Sequence, residues 1–185
     1  MRVVLRTSIA CIAASLLAAA CEPPPAPAPV SVGTPVVDPP QAEAPMPSAV
    51  TATVEQLREI GANGSYRDMA ALADQTPDFR SNNAGMSHSE YWYLKMRTGD
   101  WPMAQMERLL ALPHAVRPSA RGKVYVWPLM ATLQADQITP AVARDIDRLL
   151  GEGQAQAIRA DETWPGYVLG IAEDGTWLFF VSGAG

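Results

Sequence analysis

Ten prolines fall within the 27 residues from Glu22 to Ser48, beginning Pro23-Pro24-Pro25-Ala26-Pro27-Ala28-Pro29. Proline has no amide hydrogen to give to a helix or a sheet ladder, so a tract this dense favours the extended polyproline II form over a packed core. Fully extended, at about 3.1 Å per residue, it would reach about 80 Å. The tract divides the chain. Residues 21–48 are expected to be a disordered linker that acts as a spacer; it lacks the basic residue of most Pro-rich ligands. The about 137 residues from Ala49 onward suffice for one hydrophobic core and hardly for two, so 49–185 is expected to be a single domain.

Ahead of the tract stands a different kind of segment. Arg2 and Arg6 form a basic head, an apolar run follows from Thr7 to Leu17, and Ala18-Ala19-Ala20-Cys21 ends it. A basic start, a short apolar stretch and small residues at the end are the layout of a secretory signal peptide, here residues 1–20. The apolar run is shorter than the about 20 residues a transmembrane helix needs. Ala18-x-Ala20 fits ordinary signal-peptidase cleavage. Leu17-Ala18-Ala19-Ala20-Cys21 also resembles the lipobox of bacterial lipoprotein precursors, with the leucine one place further back than in the tightest form of the motif. The resemblance implies cleavage before Cys21, a thioether-linked diacylglycerol on its sulfur, and two or three acyl chains in all. At about 0.8 kcal/mol per buried methylene, one chain binds a membrane only marginally and two hold it stably. The implied partner is thus a membrane, held through the lipid anchor at Cys21. The implied location is the cell envelope, with the domain facing the periplasm or the exterior.

Charge and cysteine usage narrow the domain's chemistry. Loss of Arg2 and Arg6 leaves twelve basic groups against nineteen acidic ones, a net charge of −7. That balance argues against nucleic acid, whose phosphates require a basic face, and against a polybasic clamp on anionic lipid. Both cysteines, Cys11 and Cys21, precede the tract. The domain therefore has no disulfide, no thiolate nucleophile and no cysteine metal site.

Hydrophobic periodicity predicts an α+β fold, with several short helices packed on a small antiparallel sheet that ends in a C-terminal β-hairpin. Val50, Val54, Leu57 and Ile60 recur at helical spacing, with Gly61 and Gly64 as stops. Ser65-x-x-Asp68 and Ser87-x-x-Glu90 read as capping boxes opening two more helices. Asp100 is expected to cap a fourth, with Pro102 in its first turn and Met103, Met106, Leu109 and Leu110 inward. After Pro113 the period falls to two, and His114–Arg117 and Lys123–Trp127 flank a turn. Thr139-Pro140 starts a helix through Val142, Ile146, Leu149 and Leu150, and a weaker helical stretch covers Gln154 to Ala160. Tyr167–Ala172 and Thr176–Val181 straddle Asp174-Gly175, which suits a two-residue type I′ turn. Strict alternation would put Trp177, Phe179 and Val181 on one face of the last strand, and Leu178 and Phe180 on the other.

Catalytic signatures are sparse. His88-Ser89-Glu90 places its acid two residues from its imidazole, pointing elsewhere on a helix, and spacing supplies no third ligand; no metal and no cofactor is expected. Ser87 and Ser89 lie outside any nucleophile elbow, and Ser87 is already a cap. No catalytic residue is assigned. Paired carboxylates remain as the alternative: Glu90, Asp100, Asp161, Glu162 and Glu173 lie near aromatics. A hydrolase of cell-wall glycan needs two carboxyls about 5–5.5 or 6.5–9.5 Å apart.

The aromatics offer a binding alternative. Tyr91-Trp92-Tyr93 spans too much of a helix to face one core. Tyr125 and Trp127 share a strand face, and Trp164 leads into the last hairpin. These side chains fit a two-sided sheet whose faces are both covered. That reading is favoured; the other is a cleft for a sugar or an apolar ligand, with Trp92, Tyr125, Trp127 and Trp164 as candidate binding residues. The sequence thus favours a cell-envelope lipoprotein whose tethered domain binds an envelope protein or a glycan rather than catalysing. In a Gram-negative host the protein should fractionate with membranes, and Cys21→Ser should release it or leave it uncleaved. Mass spectrometry of the mature N-terminus should find acyl mass on Cys21; an unmodified cysteine there would remove the anchor.

Overall fold

The structure is a computed structural model that describes residues 45–120, 122–161 and 163–183. The signal segment, Cys21, most of the proline tract and Glu162 lie outside the described residues. Packing starts at Met46, which rests against the core just ahead of the expected boundary at Ala49. Pro47 accepts the first helical hydrogen bond, from the Thr51 amide at 3.0 Å. Four helices come first: α1 (Ser48–Asn63), α2 (Tyr66–Ala73), α3 (His88–Arg97) and α4 (Pro102–Leu110). Strands β1 (Ala115–Ser119) and β2 (Gly122–Trp127) follow, then helices α5 (Pro140–Leu150) and α6 (Gln154–Asp161), and the hairpin β3 (Tyr167–Ala172) and β4 (Trp177–Ser182). The four strands form one antiparallel sheet in the order β1-β2-β3-β4. Its two hairpins are joined through α5 and α6. The fold is α+β.

The expected caps at Ser65, Ser87 and Thr139 are present. Each side chain accepts the amide three residues on, at 3.2, 3.2 and 3.3 Å, which satisfies a donor the first helical turn leaves unpaired. Two expected helix signals work differently. Gly61 lies inside α1, where a Cβ would sit 3.4 Å from Glu107 Cβ and 3.5 Å from the Met103 carbonyl of α4. It is a close helix crossing, and Gly64, at φ 64°, is the cap. Asp100 caps nothing: Trp101 holds the N-cap position of α4 with no side-chain hydrogen bond.

The core lies on one face of the sheet. Tyr125 and Trp127 of β2, Leu169 and Ile171 of β3, and Trp177 and Phe180 of β4 meet Val50, Val54, Leu57, Met69, Trp92, Met103 and Met106 of the first four helices. A smaller cluster joins Met130, Ile138, Ile146, Ala155, Ile158 and Trp164, with Val168 packed against it; Val168 alternates with Leu169 and so reaches it from the opposite face. The two clusters thus meet the sheet from opposite faces, the second at Val168.

The last strand departs from strict alternation. Ile171 pairs with Trp177 but Gly170 pairs with Phe179, so Leu178 is an extra residue and the register shifts there. This β-bulge turns Trp177 and Phe180 to the same face, where alternation alone would separate them. The neighbouring chain stabilises it: the Arg80 amide donates to the Leu178 carbonyl at 3.1 Å, and the Phe180 amide donates to the Arg80 carbonyl at 3.0 Å. The connecting turn also differs from type I′. Gly175 has φ 88°, while Asp174 is not among the positive-φ residues. The Gly175 amide donates to Ala172 at 2.9 Å and the Ala172 amide to Thr176 at 2.8 Å. This is a three-residue loop, a type I turn closed by a left-handed glycine. A Cβ on Gly175 would lie 2.8 Å from the Ala49 carbonyl, because the start of α1 packs on the turn.

Gly170 provides the sharpest test of the hairpin. A Cβ there would lie 2.2 Å from both Cε1 and Cζ of Phe179, so the ring lies directly over the glycine. Gly170→Ala should lower stability by about 1–3 kcal/mol, as overpacking does. Phe179→Leu should suppress much of that loss in the double variant, because the smaller side chain vacates the space. Urea melts of the two single variants and the double one measure the coupling. Simple additivity would mean that the ring does not rest on Gly170.

Candidate functional site

The four aromatics expected to line a cleft are core side chains. Trp92 is 0 %, Trp127 2 %, Tyr125 5 % and Trp164 8 % exposed. Trp92 stacks on Trp177 at 6.2 Å between ring centroids, and Phe79 lies 4.5 Å from Trp177. Trp127 and Tyr125 lie 5.0 and 5.6 Å from the His114 ring. Trp164 belongs to the second cluster, where its indole N–H donates to the Tyr167 carbonyl at 3.3 Å. The four rings are divided between the two clusters, Trp92, Tyr125 and Trp127 in the first and Trp164 in the second, and do not meet in one open cleft. Trp127 also borders a shallow depression of about 300 Å³ beside His114 and Pro113.

The carboxylates are dispersed. Glu90 is exposed on α3 and Asp161 exposed at the end of α6, while Glu173 lies in the β3–β4 turn, 3.7 Å from Lys123. Asp100 is a structural tie. Its Oδ2 receives the Lys95 ammonium at 2.5 Å and the Tyr167 hydroxyl at 2.7 Å, joining α3 to the first residue of β3. None of these four acids lines the groove described below. His88 is largely covered: it stacks on Trp92, meets Phe79 edge-on at 5.2 Å, and holds Asp74 through Nδ1 at 2.7 Å. A smaller depression of about 450 Å³ has Asp78 and Asp174 together in its lining, beside Arg80 and Phe179. Both acids are exposed, and Asp174 accepts the Thr176 amide at 2.9 Å within its own turn.

The site that the structure does build is a groove of about 750 Å³ between α4, the segment after it, and α5. Its floor is aliphatic: Leu112, Pro113, Leu129, Met130, Leu133, Val142 and Leu149, with Arg108, Asp145 and Arg148 around them. That volume falls in the range of about 300–1,000 Å³ usual for small-molecule sites, which pair an apolar lining with a few polar groups. The groove follows from the way α5 packs. Its apolar stripe is Val142, Ile146 and Leu149, yet Ile146 is its one fully buried residue. Val142 and Leu149 stay half-buried, as do Leu112, Leu129 and Leu133 opposite. Arg148 pairs with Asp145 at 2.6 Å, with side chains 75 % and 51 % exposed. An ion pair so solvated contributes little, so its guanidinium can exchange partners at small cost. Arg108, on α4, has no hydrogen-bond or ion-pair partner among the described residues.

Most groove residues escaped the sequence. Val142 and Leu149 appeared as core, and the apolar stretch Pro128-Leu129-Met130-Ala131-Thr132-Leu133 fell between a strand and a helix without an assignment. The structure folds part of it, Leu129–Thr132, into a 3₁₀ turn. An apolar run too short for a helix and too irregular for a strand was the available signal.

Tyr167 supplies a pH signature for the Asp100 tie. Burial, and then the Asp100 carboxylate that accepts its hydrogen bond, push the phenol well above its ordinary value of 10.0. The folded state therefore keeps this proton to higher pH than the unfolded state. The tie's contribution is whole below about pH 10, where both states are protonated, and is lost as pH rises beyond that. Thermal midpoints should fall between pH 9.5 and 11.5, and Tyr167→Phe, though less stable at pH 7, should show a shallower fall. Parallel slopes for the two proteins would mean that the phenol does not carry the dependence.

Among the described residues no helix is long and apolar enough to cross a membrane, and no group of three His, Cys, Asp or Glu side chains could hold a metal ion. No family model matches the chain, and no curated protein or solved structure matches it.

Proposed function

We propose that this chain is a cell-envelope lipoprotein, lipidated at Cys21 and spaced from the membrane by its proline tract, whose domain binds an apolar ligand in the groove between α4 and α5. The observation that carries the binding role is the groove's lining, seven apolar residues against three charged ones. Half-buried aliphatic side chains gathered in one concavity are an unusual use of surface for a folded domain, and such patches mark interaction sites. The envelope location rests on the leader and on Cys21 alone. Hydrolysis of wall glycan is the alternative, and among the described residues Asp78 and Asp174 are two acids that share a depression.

Fluorescence of a neutral apolar probe such as N-phenyl-1-naphthylamine tests the binding role. The probe should bind at one site, and Leu133→Asp or Val142→Asp should weaken it at least about tenfold by putting a charge on the apolar floor. Both side chains also pack against the second cluster, so thermal midpoints should fall by a few degrees while the variants still melt cooperatively. Probe affinity that ignores both substitutions would reject the groove. Release of soluble fragments from wall glycan, abolished by Asp78→Asn, would establish the hydrolytic alternative instead.

A further inference from the structure

Resting on that binding role, we infer that the groove's occupant is a free single-chain anionic amphiphile: one acyl chain along the aliphatic floor, its head group held by Arg108 and Arg148. Two independent features of the lining point to this chemistry. The floor from Leu112 to Leu149 has no hydrogen-bonding side chain other than the three charged ones. A sugar or an extended peptide laid along the floor would find only those three side chains for its many polar groups, and each group left unpaired costs more to bury than it gains. An acyl chain has none to satisfy. The second feature is charge. The lining carries two guanidinium groups and one carboxylate, so it is locally cationic within a chain whose formal net charge is −5. Arg108 has no partner among the described residues, and Arg148 has only its exposed contact with Asp145. Planar guanidinium groups match a carboxylate or phosphate two bonds at a time, a geometry that a neutral head group cannot use. The concavity is that of a small-molecule site, suited to a chain removed from a bilayer rather than to the flat face of one.

Displacement of the neutral probe from the Cys21→Ser protein, in detergent at a fixed concentration below its micelle threshold throughout, tests the inference with decanoate, hexanoate and decanol. Decanoate should displace the probe with an affinity about fourfold higher per methylene than hexanoate. It should bind about tenfold better than decanol, through charge-assisted hydrogen bonds. Arg108→Gln together with Arg148→Gln should bring decanoate down to decanol and leave decanol unchanged, while Leu133→Asp should weaken both. Equal binding of decanoate and decanol, both lost in Leu133→Asp, would overturn the head-group inference and leave the groove as an apolar site. Probe binding that is indifferent to Leu133→Asp would overturn both. An acidic amphipathic peptide that displaces the probe where decanoate does not would make the occupant a protein segment and overturn the inference as well.

Discussion

The stacking of Trp177 on Trp92 is the contact through which helices and sheet become one core. Trp92 comes from α3 and Trp177 from the first position of β4, and both rings are essentially inaccessible. Phe79 packs against each of them, and Phe180 meets Trp177 from further along the strand. Rings of this size each bury about 150–250 Å², so the cluster supplies a large share of the apolar burial available to a domain without disulfides. The arrangement needs Trp177 and Phe180 on one face, three residues apart, which a regular strand forbids. The extra residue at Leu178 permits it, and the Arg80 backbone on either side of the bulge holds it in place. A further contact, Ser182 donating its amide to Asn82 at 2.7 Å, extends this cover along the edge of β4. The segment between α2 and α3 therefore both shields an open sheet edge and fixes which side of β4 is core.

What the sequence made legible follows the range of the interactions involved. Helix caps at Ser65, Ser87 and Thr139 are bonds between residues three apart, and all of them could be read directly. The hairpins were visible for the same reason, since turn chemistry and alternation are local. The bulge was not, because its cause, Arg80, lies about a hundred residues from Leu178 and has no signature of its own. Asp100 fitted the pattern of a cap, yet a lysine five residues back and a tyrosine 67 residues on bind it more strongly than an amide would. Gly61 looked like punctuation and is instead the point where α4 crosses α1. In each case a distant partner overruled a correct local rule.

The aromatic residues show the same limit from another side. Tyr91-Trp92-Tyr93 does divide between interior and surface, with Tyr91 8 % and Tyr93 45 % exposed on either side of a fully buried Trp92. Which of the rings would be open to a ligand depended on how many layers cover the sheet. Periodicity gives the number of apolar faces a strand has, and it says nothing of what covers them. Here the first four helices cover the face that carries Tyr125 and Trp127, so those aromatics went to the core. The groove took its lining partly from the periodic stripe of α5, Val142 and Leu149, and partly from Leu112, Leu129, Met130 and Leu133, in segments where periodicity is weak.

The groove's position explains why it can stay open without unsettling the fold. Leu112 packs against both hydrophobic clusters, so the groove runs along the seam where the helices of the first meet the smaller assembly of α5 and α6. Each cluster has its own fully buried anchors: Trp92, Trp127 and Trp177 in the first, Ile146 in the second. Stability is secured by side chains that no ligand touches. The half-buried Leu129, Leu133, Val142 and Leu149 between them forgo part of their transfer free energy, a cost of the order of 1 kcal/mol each. An apolar occupant of the groove would recover that free energy on binding, and its own chain would leave water at the same time. Affinity in such a site grows with the length of the apolar chain, while the charges at its margin act on the head group alone. The division matches the chemistry of Arg108 and Arg148, which are exposed guanidinium groups beside a floor with nothing else to offer a polar ligand.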